Sequence, residues 1–309
     1  MKSEPLVSVI MNGYNAERYL REAIDSVLAQ TYQYWELIFW DNCSTDSTSD
    51  IVQSYSDVRL KYYCADEFSV LGKARNLALK KASGEFIAFL DCDDIWFSKK
   101  LELQLPLFDD QKVGLVYSDA IYFNSRGQES RLYATRNQYK GSCFRELLTD
   151  YCLSMQTVVL RHTVLDDLTY WFDERFNIIE EYDLFVRISE HWKLNYVATP
   201  LAKWRMHADS WSMKKQNMTI EEQKLLLKTY DQDLSFNNKF PGIIEVLRRL
   251  FLLREAKLLW SQGSNIAARK ILVTIWVKNS KALIMWFLSF LPFSFVDTIY
   301  NRMKGRVIL

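Results

Sequence analysis

Apolar positions along this chain change period several times, and each change marks an element. Leu6–Met11 (LVSVIM) is short, mostly apolar and β-branched, the pattern of a strand covered on both faces. Leu20, Ala23, Ile24, Val27 and Leu28 then recur at the spacing of one helix face, with Asn15 the expected cap and Glu17 in the first turn. Glu36–Trp40 (ELIFW) reads as a second buried strand, ending at Asp41. A Ser/Thr/Asp-rich turn leads into a helix near Ser47–Tyr55, and Arg59–Tyr63 reads as a third strand. A helix around Lys73–Ala82 precedes the turn Ser83-Gly84, and Phe86–Leu90 (FIAFL) is apolar throughout and ends at Asp91. Strands alternating with helices at this spacing predict an α/β fold with a parallel sheet covered on both faces. Ligands of such sheets bind beyond the carboxyl ends of the strands, where Asp41 and Asp91 stand.

After Asp94 the pattern loosens. Val113–Ser118 and Ser154–Leu160 are expected strands with the less regular Ile121–Asp150 between them, followed by a helix Glu180–His191 and a short strand Leu194–Val197. From about Thr219 the chain is nearly all helical in pattern, and Pro241-Gly242 separates helices near Ile220–Leu234 and Ile243–Gln262. A length of 309 residues, 49% hydrophobic and 25% charged, allows one large domain or a domain with an appendage. The net charge of +1 argues against a nucleic-acid binder that relies on bulk electrostatics. Five widely spaced cysteines without a C-x-x-C pair point to reduced thiols. Val7–Met11 is too short for a secretory signal and carries Ser8, so the catalytic part is expected to face the cytoplasm.

Several clusters carry chemistry. Asp91-Cys92-Asp93-Asp94 puts three carboxylates on a tight turn, where a hard divalent cation such as Mg2+ or Mn2+ would offset their repulsion; the alternative is a cap on a following helix. Asp41-Asn42-Cys43-Ser44-Thr45-Asp46 alone reads as a turn and helix cap. In Gly72-Lys73-Ala74-Arg75-Asn76, Lys73 and Arg75 could meet a diphosphate near a helix N-terminus, or form a solvated charged face. In Glu180-Glu181-Tyr182-Asp183, Glu181 shares a helix face with Leu184, Phe185 and Ile188, so it points inward, as a general base would. Asp183 is expected to form a surface pair with Arg187, four residues on. His207, beside Arg205 in Trp204-Arg205-Met206-His207, is either structural or a metal or phosphate contact.

Taken in order, VSVIMNGYN, SVLAQTY, WELIFWDNCSTD, GKARNLAL, SGEFIAFLDCDDIW, EEYDLFVRIS and WRMH resemble the family 2 inverting glycosyltransferases of GT-A fold, from about Leu6 to Ser212. The resemblance implies a Rossmann-like catalytic domain over residues 1–215, with a nucleotide-sugar half to about 118 and an acceptor half after it; the periodicity itself predicts the helical region over 216–309. It implies that Asn12, Tyr14 and Asn15 lie against the nucleotide, that Asp41 contacts the nucleobase, and that Arg75 lies near the phosphates. Asp91 would lie nearer the ribose and Asp93 would ligate the metal, with His207 as a helper and Lys73 and Arg205 as phosphate contacts. Glu181 replaces the family's usual aspartate base by a residue one methylene longer, which leaves Glu180 as the other candidate. The implied partners are a nucleotide-diphospho-sugar donor and a glycan or lipid-linked acceptor. Competing readings are a degenerate sugar-nucleotide-binding protein and a sugar-phosphate nucleotidyltransferase; the latter wants a Gly-rich, Arg-containing loop that NGYNAERYL does not supply.

The resemblance does not reach beyond about residue 215. Ala282–Val296 is 15 residues of nearly unbroken apolar sequence, short for a spanning helix. It is expected either to pack as a buried helix or to lie on the inner face of the plasma membrane through 282–306, with Lys278, Lys281, Arg302, Lys304 and Arg306 flanking it.

Overall fold

The computed structural model describes residues 4–134, 136–207, 210 and 214–304. Ser212 and Arg306, and the side chains of Lys278, Arg302 and Lys304, lie outside the described residues. The chain separates into two compact units, residues 1–207 and 208–309.

The first unit is built on one mixed sheet. Its strands are β1 (Val7–Gly13), β2 (Trp35–Asp41), β3 (Leu60–Cys64), β4 (Phe86–Phe89), β5 (Ile95–Trp96), β6 (Val113–Asn124), β7 (Glu129–Arg131), β8 (Val159–Arg161) and β9 (Lys193–Met206). They run in the order β3-β2-β1-β4-β8-β6-β9-β5, with β7 on β6. β3, β2, β1 and β4 pair in parallel, and β6 pairs in parallel with β9. β8 runs antiparallel to both β4 and β6 and so joins the two parallel groups. Val7, Val9 and Met11 pack on one face with Leu37, Phe39 and Ala88 and with Leu20, Ala23, Ile24 and Val27 of α1 (Leu20–Leu28). The alternate residues Ile10, Ile38 and Ile87 are buried as well. Each such aliphatic side chain contributes about 1.5–3 kcal/mol, which is why these strands read as mostly apolar runs. At the amino ends of β1 and β2 the buried Glu36 is satisfied by Ser8 Oγ at 2.6 Å, Lys61 Nζ at 2.6 Å and the Ser83 amide at 2.8 Å.

Other helices of this unit are α2 (Thr48–Gln53), α3 (Leu71–Leu79), α4 (Lys100–Gln104), α5 (Phe144–Thr149) and α6 (Glu180–His191). Several elements differ from the sequence pattern. Asn15 does not cap α1: it sits at φ 51° in the loop before it, its Oδ1 accepts from the Thr45 amide at 2.8 Å, and the helix starts only at Leu20. Glu17 therefore lies ahead of the helix and accepts from the Ser47 amide. The short strand expected at 194–197 is the start of β9, whose 14 residues are held by pairing with β6 along their length. The run 154–160 is a 3-10 turn at Met155–Thr157 and then three strand residues. The region after residue 121 continues β6 into a hairpin with β7.

The second unit consists of α7 (Gln216–Gln232), α8 (Leu234–Lys239), α9 (Ile243–Ser261), α10 (Asn265–Ile275), α11 (Ser280–Leu288) and α12 (Phe293–Lys304). Gly242, at φ 78°, makes the break before α9. Ala256, Leu272, Ile275 and Ala282 form a small core with Trp276 and Trp286. The apolar run 282–296 is not one helix but parts of two, divided at residues 289–292. Among the described residues no helix is long and apolar enough to cross a membrane.

Candidate active site

Parallel pairing brings the carboxyl ends of β1, β2 and β3 level, with Gly13 opposite Asp41 and Asp41 opposite Cys64. The loops that leave β1 and β2 are laced together: the Asn15 amide donates to Ser44 Oγ (2.9 Å), the Ala16 amide to Thr48 Oγ1 (2.8 Å) and the Glu17 amide to Asp46 Oδ2 (3.1 Å). Asn15 and Cys43 both adopt positive φ there, 51° and 69°. Non-glycine residues in that region cluster at functional sites, where the surrounding contacts hold them. Asp41 is 1% exposed, accepting from the Ser44 amide and the Tyr62 hydroxyl at 2.8 Å each, so one lone pair on each carboxylate oxygen is taken. Asn12 is the opposite case: its Nδ2 is buried and has no partner. Tyr14 is exposed and meets Phe68 edge-on, centroids 4.7 Å apart.

β4 delivers the acidic turn. A helix does not follow it, so the capping alternative for Asp93 and Asp94 falls away; the chain enters β5, which pairs antiparallel with β9. That pairing places the end of β9 against the turn. The Arg205 amide donates to Asp94 Oδ1 (2.9 Å), and His207 Nε2 lies 2.8 Å from Asp93 Oδ2. The Arg205 guanidinium is committed to protein, donating to the Asp93 carbonyl (2.9 Å) and pairing with Glu22 (2.8 Å), and it lies over the Tyr19 and Phe123 rings. Burial raises the Asp94 carboxyl well above the usual range, with Asp93 and Asp91 adding to it.

The third component is α3. Gly72 is there because a Cβ would stand 2.3 Å from the Asp173 carbonyl oxygen. The Gly72 amide donates to Phe176 O at 3.1 Å and the Leu71 amide to Asn177 Oδ1 at 2.9 Å. The start of α3 is thus closed by the segment before α6, and those two amides are already used within the protein. Lys73 remains half-exposed, 3.4 Å from Glu67. Arg75 is buried and joins two elements: it pairs with Asp91 at 2.9 Å and with Glu180 of α6. Burial works against its charge, but the Glu180 and Asp91 carboxylates outweigh it and raise the guanidinium pKa.

Around α6 the assignments by helix face shift. Glu180 and Asp183 are both buried, while Glu181 is partly exposed. Asp183 does pair with Arg187 at 2.7 Å, yet it is 0% exposed, so this is a buried pair rather than a surface one. Tyr182, Leu184, Phe185, Val186 and Ile188 are buried around nearly the whole circumference, and one apolar face could not reveal this. Burial, then the neighbouring Glu180 charge, lifts Glu181 from an ordinary 4.5 to about 8. Burial also raises Asp91, against the pull of Arg75.

Among the described residues no group of three or more His, Cys, Asp and Glu side chains is placed to hold a metal ion. Asp93 and His207 nevertheless converge, and His207 Nδ1 is buried without a partner. A carboxylate and an imidazole are donors that suit a divalent ion, so this pair fits one.

The family model for glycosyl transferase family 2 matches residues 8–166. This chain belongs to that family. The family 2 transferase is 37% identical over 183 residues to the Escherichia coli UDP-Glc:alpha-D-GlcNAc-diphosphoundecaprenol beta-1,3-glucosyltransferase WfgD, covering 59% of this chain and 69% of that protein. S. aureus TarS 1-349 in complex with UDP-GlcNAc superposes with a TM-score of 0.62 at 23% identity, over 80% of this chain and 72% of that one. The mannosyltransferase PcManGT from Pyrobaculum calidifontis, in complex with GDP-Man and Mn2+, gives 0.61 at 16% identity over 98% of this chain and 85% of that one. These similarities establish the GT-A fold. Within the family 2 transferase, sequence reasoning missed Tyr62, Phe68 and the Glu22, Tyr19 and Phe123 cradle of Arg205. Their roles arise from contacts across loops and strands, and no local motif signals them.

Proposed function

We propose that this family 2 transferase moves a hexosyl group from a nucleotide-diphospho-sugar to a hydroxyl of a glycan or lipid-linked glycan, with inversion. The observation that carries the reading is the Arg75 bridge, which ties Asp91, beside the acidic turn, to Glu180 and so sets Glu181 at the same edge of the sheet. The donor half, to about residue 118, supplies Asn12, Tyr14 and Asp41 for the nucleoside, and Asp91 for the ribose. The orphaned Asn12 Nδ2 has the character of a group awaiting a ligand. Lys73 and Arg75 are the cations nearest the diphosphate in this reading. Arg205 serves instead to hold the Asp93 backbone and the end of β9.

Asp93 and His207 would hold Mg2+ or Mn2+; such an ion neutralises charge on the departing diphosphate when bound. Glu181, once ionised, takes the proton of the acceptor hydroxyl. The acceptor oxygen forms the new bond at the anomeric carbon as the bond to the diphosphate oxygen breaks on the opposite face, and that electron pair leaves with the diphosphate. An α-linked donor then gives a β-linked product. The acceptor in WfgD's name is an alpha-D-GlcNAc-diphosphoundecaprenol, and a sugar on a polyprenyl diphosphate is the acceptor proposed for this chain. Replacing Glu181 by Gln keeps shape and removes the base. Transfer should fall by about 10²–10⁴-fold while nucleotide-sugar affinity, measured calorimetrically, stays within about twofold. Unchanged turnover would refute the assignment.

A lipid acceptor gives the second unit a role. Leu283, Ile284, Phe287, Phe290, Leu291 and Phe295 are all exposed on α11, the turn and α12. Arg269 lies 4.4 Å over the Phe290 ring, Lys257 5.7 Å over that of Phe293, and Lys281 is exposed, which suits an anionic bilayer surface. The protein should float with phosphatidylglycerol vesicles and bind phosphatidylcholine vesicles weakly, and Phe287→Asp with Phe290→Asp should abolish flotation. Unaltered flotation of that double variant would assign the surface another role.

A further inference from the structure

The segment between α5 and the 3-10 turn at Met155–Thr157 carries a buried hydroxyl that none of the roles above uses. Tyr151 meets Tyr182 edge-on, ring centroids 5.1 Å apart, and Tyr182 is itself fixed by donating to Leu148 O at 2.6 Å. Tyr182 follows Glu181 directly, so this packing holds Tyr151 beside the start of α6. The Tyr151 hydroxyl is buried and makes no hydrogen bond. Other buried phenols of this region do not share the condition: Tyr117 donates to Tyr139 O at 2.7 Å and Tyr133 to Cys152 O at 2.9 Å. An orphaned buried hydroxyl costs about 1–3 kcal/mol, and such groups call for an explanation. Burial and the Glu181 and Glu180 carboxylates raise its pKa well above the ordinary tyrosine value, so it stays a neutral donor at any working pH.

We propose that the Tyr151 hydroxyl is an acceptor contact, donating to a sugar oxygen adjacent to the hydroxyl that Glu181 deprotonates. The acceptor is then a sugar ring presenting neighbouring oxygens, as distinct from an isolated alcohol. The proposal rests on Glu181 being the base and names the chemical feature of the acceptor which that reading leaves open. A site built to hydrogen-bond a substrate oxygen rejects analogues that lack it, because its own polar group is then left unpaired.

The full chain, wild type and Tyr151→Phe, is titrated calorimetrically in the presence of UDP with α-glycosides of glucose, N-acetylglucosamine and galactose and their monodeoxy analogues. UDP release from UDP-glucose and UDP-GlcNAc with Mn2+ is read in parallel. Phenylalanine keeps the ring against Tyr182. The expected result is about tenfold weaker glycoside binding in Tyr151→Phe, one hydrogen bond's worth, with unchanged donor affinity and a raised acceptor KM. In the wild type, one monodeoxy analogue should show the same loss, and that arm decides the matter if the variant does not fold. Equal glycoside affinity in the two proteins, a loss confined to the donor, or no glycoside binding by the wild type would each overturn the proposal. Absent UDP release with glycoside binding intact would count against the transferase reading and leave the Tyr151 contact standing.

Discussion

Glu181 owes its character to its neighbours more than to its place on a helix. The first turn of α6 presents Glu180, Glu181 and Asp183, and a helix dipole favours negative charge there by about 0.3–1 kcal/mol. Burial and the adjacent Glu180 carboxylate exceed that and move Glu181 to about 8. A base must be ionised, so the sign is definite: kcat/KM should climb tenfold per unit at lower pH and level off above about 8. A rate profile between pH 5.5 and 9.5 checks this, and a plateau already present at pH 6 would contradict it. Asp91 and Glu180 differ from Glu181 in being clamped by Arg75. The sequence showed all four residues of this cluster as candidates. That Glu180 is clamped while Glu181 is not depends on a contact spanning 105 residues, and no local spacing encodes it.

At the level of elements, α3 and the segment before α6 form a tight joint. Substituting Gly72 by Ala would press a methyl group to 2.3 Å from the Asp173 carbonyl oxygen and 3.1 Å from that of Phe176. Both are backbone atoms with little room to yield, so the variant should lose about 1–3 kcal/mol in denaturant unfolding and lose activity with it. A variant as stable as the wild type would show that the joint is loose. The same scale explains what was legible in the chain. β1, β2 and β4 could be read because short, mostly apolar runs flanked by turn residues have no other buried home in an α/β sheet. Helix α6 could be read end to end from its pattern. Strand β9 could not, because Asn195, Thr199, Lys203 and Arg205 interrupt its apolar residues. Pairing with β6 and β5 sustains it instead. That strand carries His207 to Asp93 across 114 residues of sequence, a contact that no local motif encodes.

For the molecule as a whole, one unit carries the family fold and the carboxylate site, and the other carries exposed apolar side chains on α11 and α12. The vesicle experiment tests the second unit on its own terms. The central claim concerns the first, that Asp93, His207 and Glu181 make this fold a metal-assisted sugar transferase. The most direct measurement is nucleoside diphosphate release from a panel of UDP-, GDP- and dTDP-sugars, with a polyprenyl-diphosphate glycan acceptor. It is run on wild type with Mn2+, on wild type with excess EDTA, and on Glu181→Gln with Mn2+. The account predicts acceptor-stimulated release in the first sample and its loss in the other two. Exchange of pyrophosphate in place of diphosphate release, or stimulated release that survives both EDTA and Glu181→Gln, would contradict it.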